Sequence, residues 1–179
     1  ANISGVNTST LTFNQVSIVD TGSDYNVIVT GLCAPNDTSR NTNLKLSTAP
    51  AITTEPINQA VCEKDSVVFT VNAIGTNLNY QWRKGNVKLT NGASVSGANS
   101  SSLTIRFIAL SDTAFNYNVI VSGDCVPQDT SNNASLIVNP TPVALALSNS
   151  PNCTDSSIIL TANTIAGSTY DWTGPNNYT

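Results

Sequence analysis

Histidine and methionine are absent from this 179-residue chain, and only 10% of its residues are charged. Histidine is the commonest general base and the commonest metal ligand, so its absence leaves only scattered carboxylates and hydroxyls for any chemistry. The four cysteines form no C-x-x-C pair, so they carry no local signature of a zinc site or of thioredoxin-like redox chemistry. These absences argue against an enzyme and against a bound metal or other cofactor.

Basic residues are also scarce. The formal net charge is −4 and the isoelectric point is near 4.4, and nucleic acid or anionic lipid cannot be bound without clustered Lys and Arg. No run approaches eighteen uncharged apolar residues, so no segment is predicted to enter a membrane. A charged stretch followed by an apolar run is missing too, and we expect any signal peptide or anchor to lie outside this chain.

The strongest positive signal is a repeat. Residues 1–50 and 93–142 align without a gap at an offset of 92, and 23 of the 50 positions are identical. The best-matched parts are "DTGSDYNVIVTGLCAPNDTS" at 20–39 and "DTAFNYNVIVSGDCVPQDTS" at 112–131. A third copy begins at 152–167, where "NCTDSSIILTANTIAG" loosely repeats "VCEKDSVVFTVNAIG" at 61–75. A fixed period in this range indicates an array of similar small domains.

The repeat predicts the domain organisation. We expect the C-terminal half of a repeat at 1–48, a complete repeat at 49–140 and the N-terminal half of another at 141–179. Proline-containing linkers are predicted at 47–56 and 139–145, because proline stiffens an extended segment and cannot donate to a central ladder.

Apolar residues alternate with polar ones throughout the central repeat. This period of two predicts half-buried strands separated by turns rich in Gly, Asn, Asp and Ser, as in a β-sandwich or barrel. The apolar residues of these strands are Val67, Phe69 and Val71; Leu103 and Ile105; Tyr117, Val119 and Val121; and Leu136 and Val138.

Four cysteines occupy matching places in the repeats. Cys33, Cys62, Cys125 and Cys153 are separated by 29, 63 and 28 residues. An even number at repeat-locked positions, in a chain rich in Ser, Thr and Asn, fits disulfides in an oxidising compartment. We therefore expect an extracellular or cell-surface location.

The central repeat resembles an immunoglobulin-like domain of the I-set type. "DSVVFTVNAIGTNLNYQWRKG" at 65–85 is similar to strands B, C and C′, with Trp82 as the strand C tryptophan. "LTIRFIALSDTAFNYNV" at 103–119 resembles the E–F part, with Asp112 and Tyr117 at the aspartate and tyrosine-corner positions. The pattern looks like the tandem repeats of giant surface and secreted proteins of the Bacteroidota, adhesin-like cargo of type IX secretion. The resemblance implies an all-β array of immunoglobulin-like sandwiches joined head to tail.

Two departures from the family pattern concern the core and the E–F corner. The family's buried cysteines in strands B and F are replaced by Val71 and Val119, which should pack against Trp82. The tyrosine follows the aspartate by five residues, one more than in the family, which predicts an extra residue at the E–F corner. The first repeat supplies Asp20 and Tyr25 for the same roles, and Trp172 is the matching core tryptophan of the third copy.

The resemblance leaves two pairings open for the cysteines. Cys62 precedes strand B and Cys125 follows strand F, and these two strands run in the same direction, so the two residues lie at opposite ends of a sandwich. A bond between them would require the chain to fold back. The other pairing links the cysteine before strand B of one repeat to the F–G loop cysteine of the next, which leaves all four residues without a partner in this chain.

Other candidate sites have weaker signals. Tyr117 and Asp112 could transfer protons, but a tyrosine corner uses its hydroxyl to bind backbone. Calcium could bind at domain junctions through carboxylates in or near loops, although no calcium-loop spacing is present; these are Asp20, Asp24, Asp37, Asp124 and Asp129. Ser66 in "DSV" and Thr113 in "DTA" resemble the short O-glycosylation motif of Bacteroidota.

The sequence favours a structural role as stalk, filament or adhesin spacer without catalysis. The alternatives are a module that binds glycans or surface proteins, and an accessory domain of a large secreted hydrolase. The expected partners are neighbouring repeats of the same chain, or other copies in a filament. For the half-repeats we keep two possibilities open: further sequence completes them, or the halves of two copies complement each other.

Overall fold

The computed structural model describes residues 2–151, 153–165 and 167–174 of the chain. Its regular elements are short strands and two 3₁₀ helices, Ile18–Asp20 and Leu110–Asp112. None of the helices in this part of the chain is long and apolar enough to cross a membrane. The all-β class predicted from the period-two alternation is confirmed.

Six strands form three antiparallel pairs in the N-terminal segment. They are β1 (Asn2–Ser4), β2 (Thr12–Asn14), β3 (Gly22–Tyr25), β4 (Ile28–Val29), β5 (Asp37–Thr38) and β6 (Thr42–Leu44). β1 pairs with β2, β3 with β6, and β4 with β5. No second sheet of the described residues covers these pairs, and most of their apolar side chains remain partly exposed.

Eleven strands form the central segment. They are β7 (Ala51–Thr54), β8 (Gln59–Cys62), β9 (Val67–Thr70), β10 (Asn72–Ile74), β11 (Asn79–Lys84), β12 (Val87–Lys88), β13 (Val95–Ser96), β14 (Ser102–Ile105), β15 (Ala114–Ser122), β16 (Asp129–Thr130) and β17 (Ala134–Asn139). Positive φ at Gly85 (61°) turns the chain between β11 and β12.

The central strands make two facing layers. One layer has the order β12–β11–β15–β17–β8, with β16 added to β15. The other contains β13–β14–β9, and β10 pairs with β7 beside it. All pairs are antiparallel except β8 with β17, which run parallel with Cys62 opposite Asn139. This arrangement places the first and last parts of the central segment side by side.

Aromatic side chains fill the space between the two layers. Trp82 is fully buried, and Phe69 stacks on Tyr117 with 5.1 Å between ring centroids. Val71 and Val119, at 1% and 0% exposure, lie in the same cluster in place of the family's cysteine pair. Truncating Trp82 or Phe69 to alanine would cost about 3–5 kcal/mol of stability, because each would leave a large cavity.

The repeat extends to individual hydrogen bonds. The Tyr117 hydroxyl donates to the Asp112 carbonyl at 2.8 Å, and the Tyr25 hydroxyl donates to the Asp20 carbonyl at 2.7 Å. In both copies the extra residue before the tyrosine is taken up by a register shift, in β15 against β17 and in β3 against β6. The peptide bonds before Pro35 and Pro127 are both cis.

The C-terminal segment contributes one antiparallel pair, β18 (Ala146–Ser148) with β19 (Leu160–Ala162). Trp172 follows it with 40% of its surface exposed. The expectation that Trp172 lies in a core is therefore not met here, because no second layer of the described residues covers this segment.

The predicted linker at 47–56 is too long. Ala51–Thr54 is strand β7, paired with β10, and Pro50 and Pro56 are both buried. The connection between β6 and β7 is thus only residues 45–50.

Candidate domain junction

The short connection between β6 and β7 is bound to a loop of the central segment. The Thr48 amide donates to Thr76 Oγ1 at 3.0 Å, and the Thr76 amide donates back to the Thr48 carbonyl at 3.1 Å. Thr76 belongs to the loop between β10 and β11. This reciprocal pair fixes the backbone of the connection where it enters the central segment.

Asp124 brings a third piece of chain to the same place. It lies in the loop between β15 and β16, and its Oδ2 accepts hydrogen bonds from Asn77 Nδ2 at 2.8 Å and from Ser47 Oγ at 3.3 Å. The Asp124 amide also donates to the Thr76 carbonyl at 3.1 Å. One carboxylate therefore joins the connection to both loops, although its exposure to water limits the free energy of each bond.

Two glycines allow these loops to approach Pro50 closely. Gly75 has φ +145°, and a Cβ placed on it would lie 2.7 Å from Leu78 Cδ2 and 3.0 Å from Pro50 Cα. A Cβ on Gly123 would lie 2.7 Å from the Thr76 carbonyl oxygen. Larger residues at either position would push the loops away from the connection.

The four cysteines are free thiols in the structure: Cys33, Cys62 and Cys153 are exposed, and Cys125 is half-buried. Cys125 lies at the junction, where its thiol contacts the Ser47 carbonyl at 3.3 Å.

The intradomain pairing of Cys62 with Cys125 is not formed. Cys62 is level with Asn139, beyond the Ala114 end of β15, whereas Cys125 follows the Ser122 end. The nine residues of β15 span about 30 Å at ~3.3 Å each, and bridged Cα atoms must be within about 7 Å. The two thiols therefore lie at opposite ends of the central segment.

The tyrosine corner is a fixed structural contact. Burial raises the pKa of Tyr117 to about 12, and the negative charge of Asp112 adds to this effect. The Asp112 carboxylate in turn accepts the Ala109 amide at 2.9 Å. A phenol with a raised pKa keeps its proton near neutral pH, so the Tyr117 hydroxyl donates to the backbone carbonyl and holds the turn.

The corner of the first repeat has the same design. Asp20 accepts hydrogen bonds from the Ser17 amide at 2.8 Å and from the Ser17 hydroxyl at 2.9 Å. These bonds hold the pKa of Asp20 below its usual value, because they stabilise the ionised carboxylate.

The remaining sequence candidates lie apart from the junction. Ser66 is exposed just before β9. Thr113 is exposed too, but its hydroxyl accepts the Val138 amide at 3.2 Å and so holds β17 beside the corner. Among the described residues, no group of three or more His, Cys, Asp or Glu side chains could hold a metal ion. Asp129 instead accepts the Ile52 amide at 2.7 Å.

Sequence reasoning missed the contacts that make up the junction. The sequence selects Asp124 only as one of several loop carboxylates that could bind calcium at a domain junction, and its counterpart in the first repeat is Leu32. The other available signal is Gly123, which matches Gly31 immediately before this position.

Comparisons with known proteins give a family model that matches part of the chain and a set of similar folds. Residues 49–122 match the model of a family described as immunoglobulin domain. No curated protein matches the sequence significantly, whereas 719 chains of solved structure do so by fold.

Three of these structures illustrate the similarity. Extracellular domains 3–5 of Drosophila OTK are 19% identical, cover 76% of this chain and 46% of their own, and have a TM-score of 0.52. A chimeric titin Z1Z2 functionalised with a decorin peptide is 24% identical and covers 54% of this chain and 100% of its own, with a TM-score of 0.46. Tandem Ig repeats of Dlar are 20% identical, and the match covers 59% of this chain and 58% of theirs, with a TM-score of 0.49.

Proposed function

The central segment of the chain is an immunoglobulin-like domain, and on this premise we propose that the chain is a structural segment of a long extracellular repeat protein. Repeats at 1–48, 49–140 and 141–179 follow one another head to tail and serve as stalk, filament or adhesin spacer, without catalysis. The partners of each repeat are its neighbours. The sequence resemblance to adhesin-like, type IX secreted proteins of the Bacteroidota supports the surface location.

The observation that carries the proposal is the bonded connection between β6 and β7. A spacer must keep its domains at a set distance, and a free linker of six residues would let them swing. Here Ser47 and Thr48 bond to two loops through Asp124 and Thr76. These contacts support a connection that moves with the central domain.

The cysteine positions support a covalent addition to this arrangement. Cys125 lies where the chain enters the central domain, and Cys62 lies level with Asn139, where it leaves. We propose that the Cys62-type thiol of one repeat bonds to the Cys125-type thiol of the next. The two thiols lose two protons and two electrons to an oxidised thiol–disulfide oxidoreductase. Peptide mapping of the multi-repeat protein without reductant tests this pairing, and a peptide joining both cysteines of one repeat would rule it out.

Nuclear relaxation of the backbone amides tests the stiff connection. We expect the amides of Ser47 and Thr48 to show order parameters near 0.85, the value typical of rigid backbone. Asp124→Ala should lower both values, because it removes the acceptor shared by Ser47 and Asn77. Asp65→Ala is the matched control, since it removes the same charge at the other end of the domain. A mobile connection in the unmodified chain would contradict the spacer function.

A protein- or glycan-binding module is the second candidate, favoured by Val126. This side chain is 89% exposed in the loop between β15 and β16, and an exposed apolar group on a loop suits a contact surface. Saturable binding on a glycan array that Val126→Ser weakens would favour this candidate over the spacer.

A further inference from the structure

Charge is unevenly distributed along the chain. The stretch 66–111 contains four basic residues and no Asp or Glu, whereas the rest of the chain holds three basic residues and all eleven acidic ones. This stretch therefore carries a net charge of +4 in a protein whose formal net charge is −4. Its basic residues are Arg83, Lys84, Lys88 and Arg106. A local excess of positive charge attracts anions even when the molecule as a whole is acidic.

Two of these basic residues are neighbours at the edge of the larger layer. Arg83 follows the buried Trp82 in β11, so its side chain points away from the core. Its register partner in β12 is Lys88, whose Cα lies about 5 Å away and whose side chain leaves the same face. Like charges directly opposite each other destabilise an antiparallel pair. Among the described residues, neither side chain has a carboxylate partner that would offset this repulsion.

The Arg83 guanidinium is fixed by a buried amide. Its Nε donates to Asn118 Oδ1 at 2.9 Å, and Asn118 is only 5% exposed. The Asn118 amide nitrogen in turn donates to the Asn116 carbonyl and to Asn133 Oδ1, each at 3.1 Å. The two terminal nitrogens of Arg83 keep four N–H groups without a partner among the described residues. Their planar fork matches the two oxygens of a carboxylate.

Comparison of the repeats separates what the fold requires from what is specific to the central domain. In the first copy, Asn26 Nδ2 donates to Asn41 Oδ1 at 3.1 Å, which repeats the amide pair of the central domain. This pair therefore belongs to the common fold. Arg83 does not, because Thr173 stands at its position in the third copy. The fold alone thus gives no reason for two unpaired positive charges on this face.

We infer that Arg83 and Lys88 bind a carboxylate group of an acidic glycan on the outer face of the central domain. Arg83 binds both carboxylate oxygens, and Lys88 adds a second positive charge beside them. The exposed amides of Asn116 and Asn133 lie next to this pair and suit sugar hydroxyls, whereas a peptide is usually held by apolar anchors. Two charges are too few for nucleic acid. The site goes beyond the spacer function, which needs no ligand, and is separate from the Val126 loop.

Calorimetric titration of the chain with oligogalacturonate tests the site. We expect saturable binding that weakens as the salt concentration rises. Arg83→Lys should weaken it about tenfold, although the charge is kept, because an ammonium group has no fork. Arg106→Gln is the control, since Arg106 is exposed after β14 and its removal takes away one charge outside the site. Val126→Ser should leave this binding unchanged, and cooperative thermal unfolding verifies that each variant is folded.

Lys88→Gln separates binding from folding. Lys88 is exposed, and its ammonium group has no partner among the described residues. Its replacement should weaken oligogalacturonate binding about threefold and raise the midpoint of thermal unfolding, because it removes the repulsion from Arg83. A lower midpoint with unchanged binding would show that Lys88 serves the fold and would overturn the site.

Three further results would overturn the inference: no saturable binding of oligogalacturonate, equal loss of affinity in the Arg83→Lys and Arg106→Gln variants, or equal affinity for neutral dextran or for polyglutamate. The first two would reject the site, and the third would show that its ligand is not an acidic glycan. Each would leave the spacer proposal untouched, because that proposal rests on the bonds of Asp124 and Thr76.

Discussion

At the scale of single residues, the tyrosine corner is the clearest link between sequence and stability. Tyr117 is 1% exposed and its hydroxyl has a single acceptor, the Asp112 carbonyl. We expect Tyr117→Phe to destabilise the central domain by about 1–3 kcal/mol, because it leaves this carbonyl without its donor. Denaturant unfolding followed by Trp82 fluorescence measures the change. Tyr80→Phe, at a half-buried tyrosine, is the control and should change stability by less than about 0.5 kcal/mol.

The same hydroxyl predicts a dependence on alkaline pH. An unfolded tyrosine ionises near pH 10, whereas the pKa of folded Tyr117 is raised to about 12. The folded state therefore holds this proton more tightly. The resulting stability is complete below pH 10 and is lost as the pH rises from 10 to 12, by up to roughly 3 kcal/mol. Comparing unfolding of the unmodified chain and Tyr117→Phe between pH 9 and 12 checks this, and parallel curves would contradict it.

At the scale of elements, the loop between β10 and β11 depends on a glycine. Gly75→Ala should destabilise the central domain by more than about 1 kcal/mol, because the new Cβ meets Pro50 and φ is +145°. Gly92→Ala is the matched control, since nothing lies within 4 Å of a Cβ there. Thermal unfolding of both variants gives the comparison, and an equal effect would contradict the close approach described at the junction.

Period-two alternation predicts the strands well because it reports burial directly. Val67, Phe69 and Val71 alternate in the sequence, and all three are at most 3% exposed. The edges of the domain are different, since they depend on distant pairing. β7 looks like a linker because its partner β10 begins 18 residues after β7 ends. The hydrogen bonds of Asp124 and Asp129 also depend on the fold, because Ser47 and Ile52 are far from them in sequence.

Trp172 illustrates another limit of the sequence. Its position in the third copy matches that of Trp82, and the sequence repeat alone therefore places both tryptophans in a core. Burial needs a second layer as well as an apolar residue, and the repeat pattern does not supply that layer.

At the scale of the whole molecule, the repeats should differ in protection from hydrogen exchange. The Val119 amide donates to Ser131 Oγ at 3.0 Å, and the Val27 amide makes the equivalent bond to Ser39 Oγ at 3.0 Å. In this stretch of chain we expect Val119 to exchange only through global unfolding and Val27 to exchange through local opening, several orders of magnitude faster, because among the described residues a second layer covers Val119 and not Val27. Exchange monitored by NMR in dilute solution measures both amides, and equal rates would show that hydrogen bonding alone sets protection.

The parallel pairing of β8 with β17 also determines how the central domain would respond to pulling. In the proposed head-to-tail array, tension would enter at β7, reach β8 once the β7–β10 pair opens, and leave at the end of β17. It would then draw β8 and β17 in opposite directions along their length. Four residue pairs, from Gln59 with Leu136 to Cys62 with Asn139, hold them together. Their hydrogen bonds lie perpendicular to the pulling direction and share the force, so they have to break together instead of one after another. We therefore expect the β8–β17 pair to resist pulling force and then to separate in a single step.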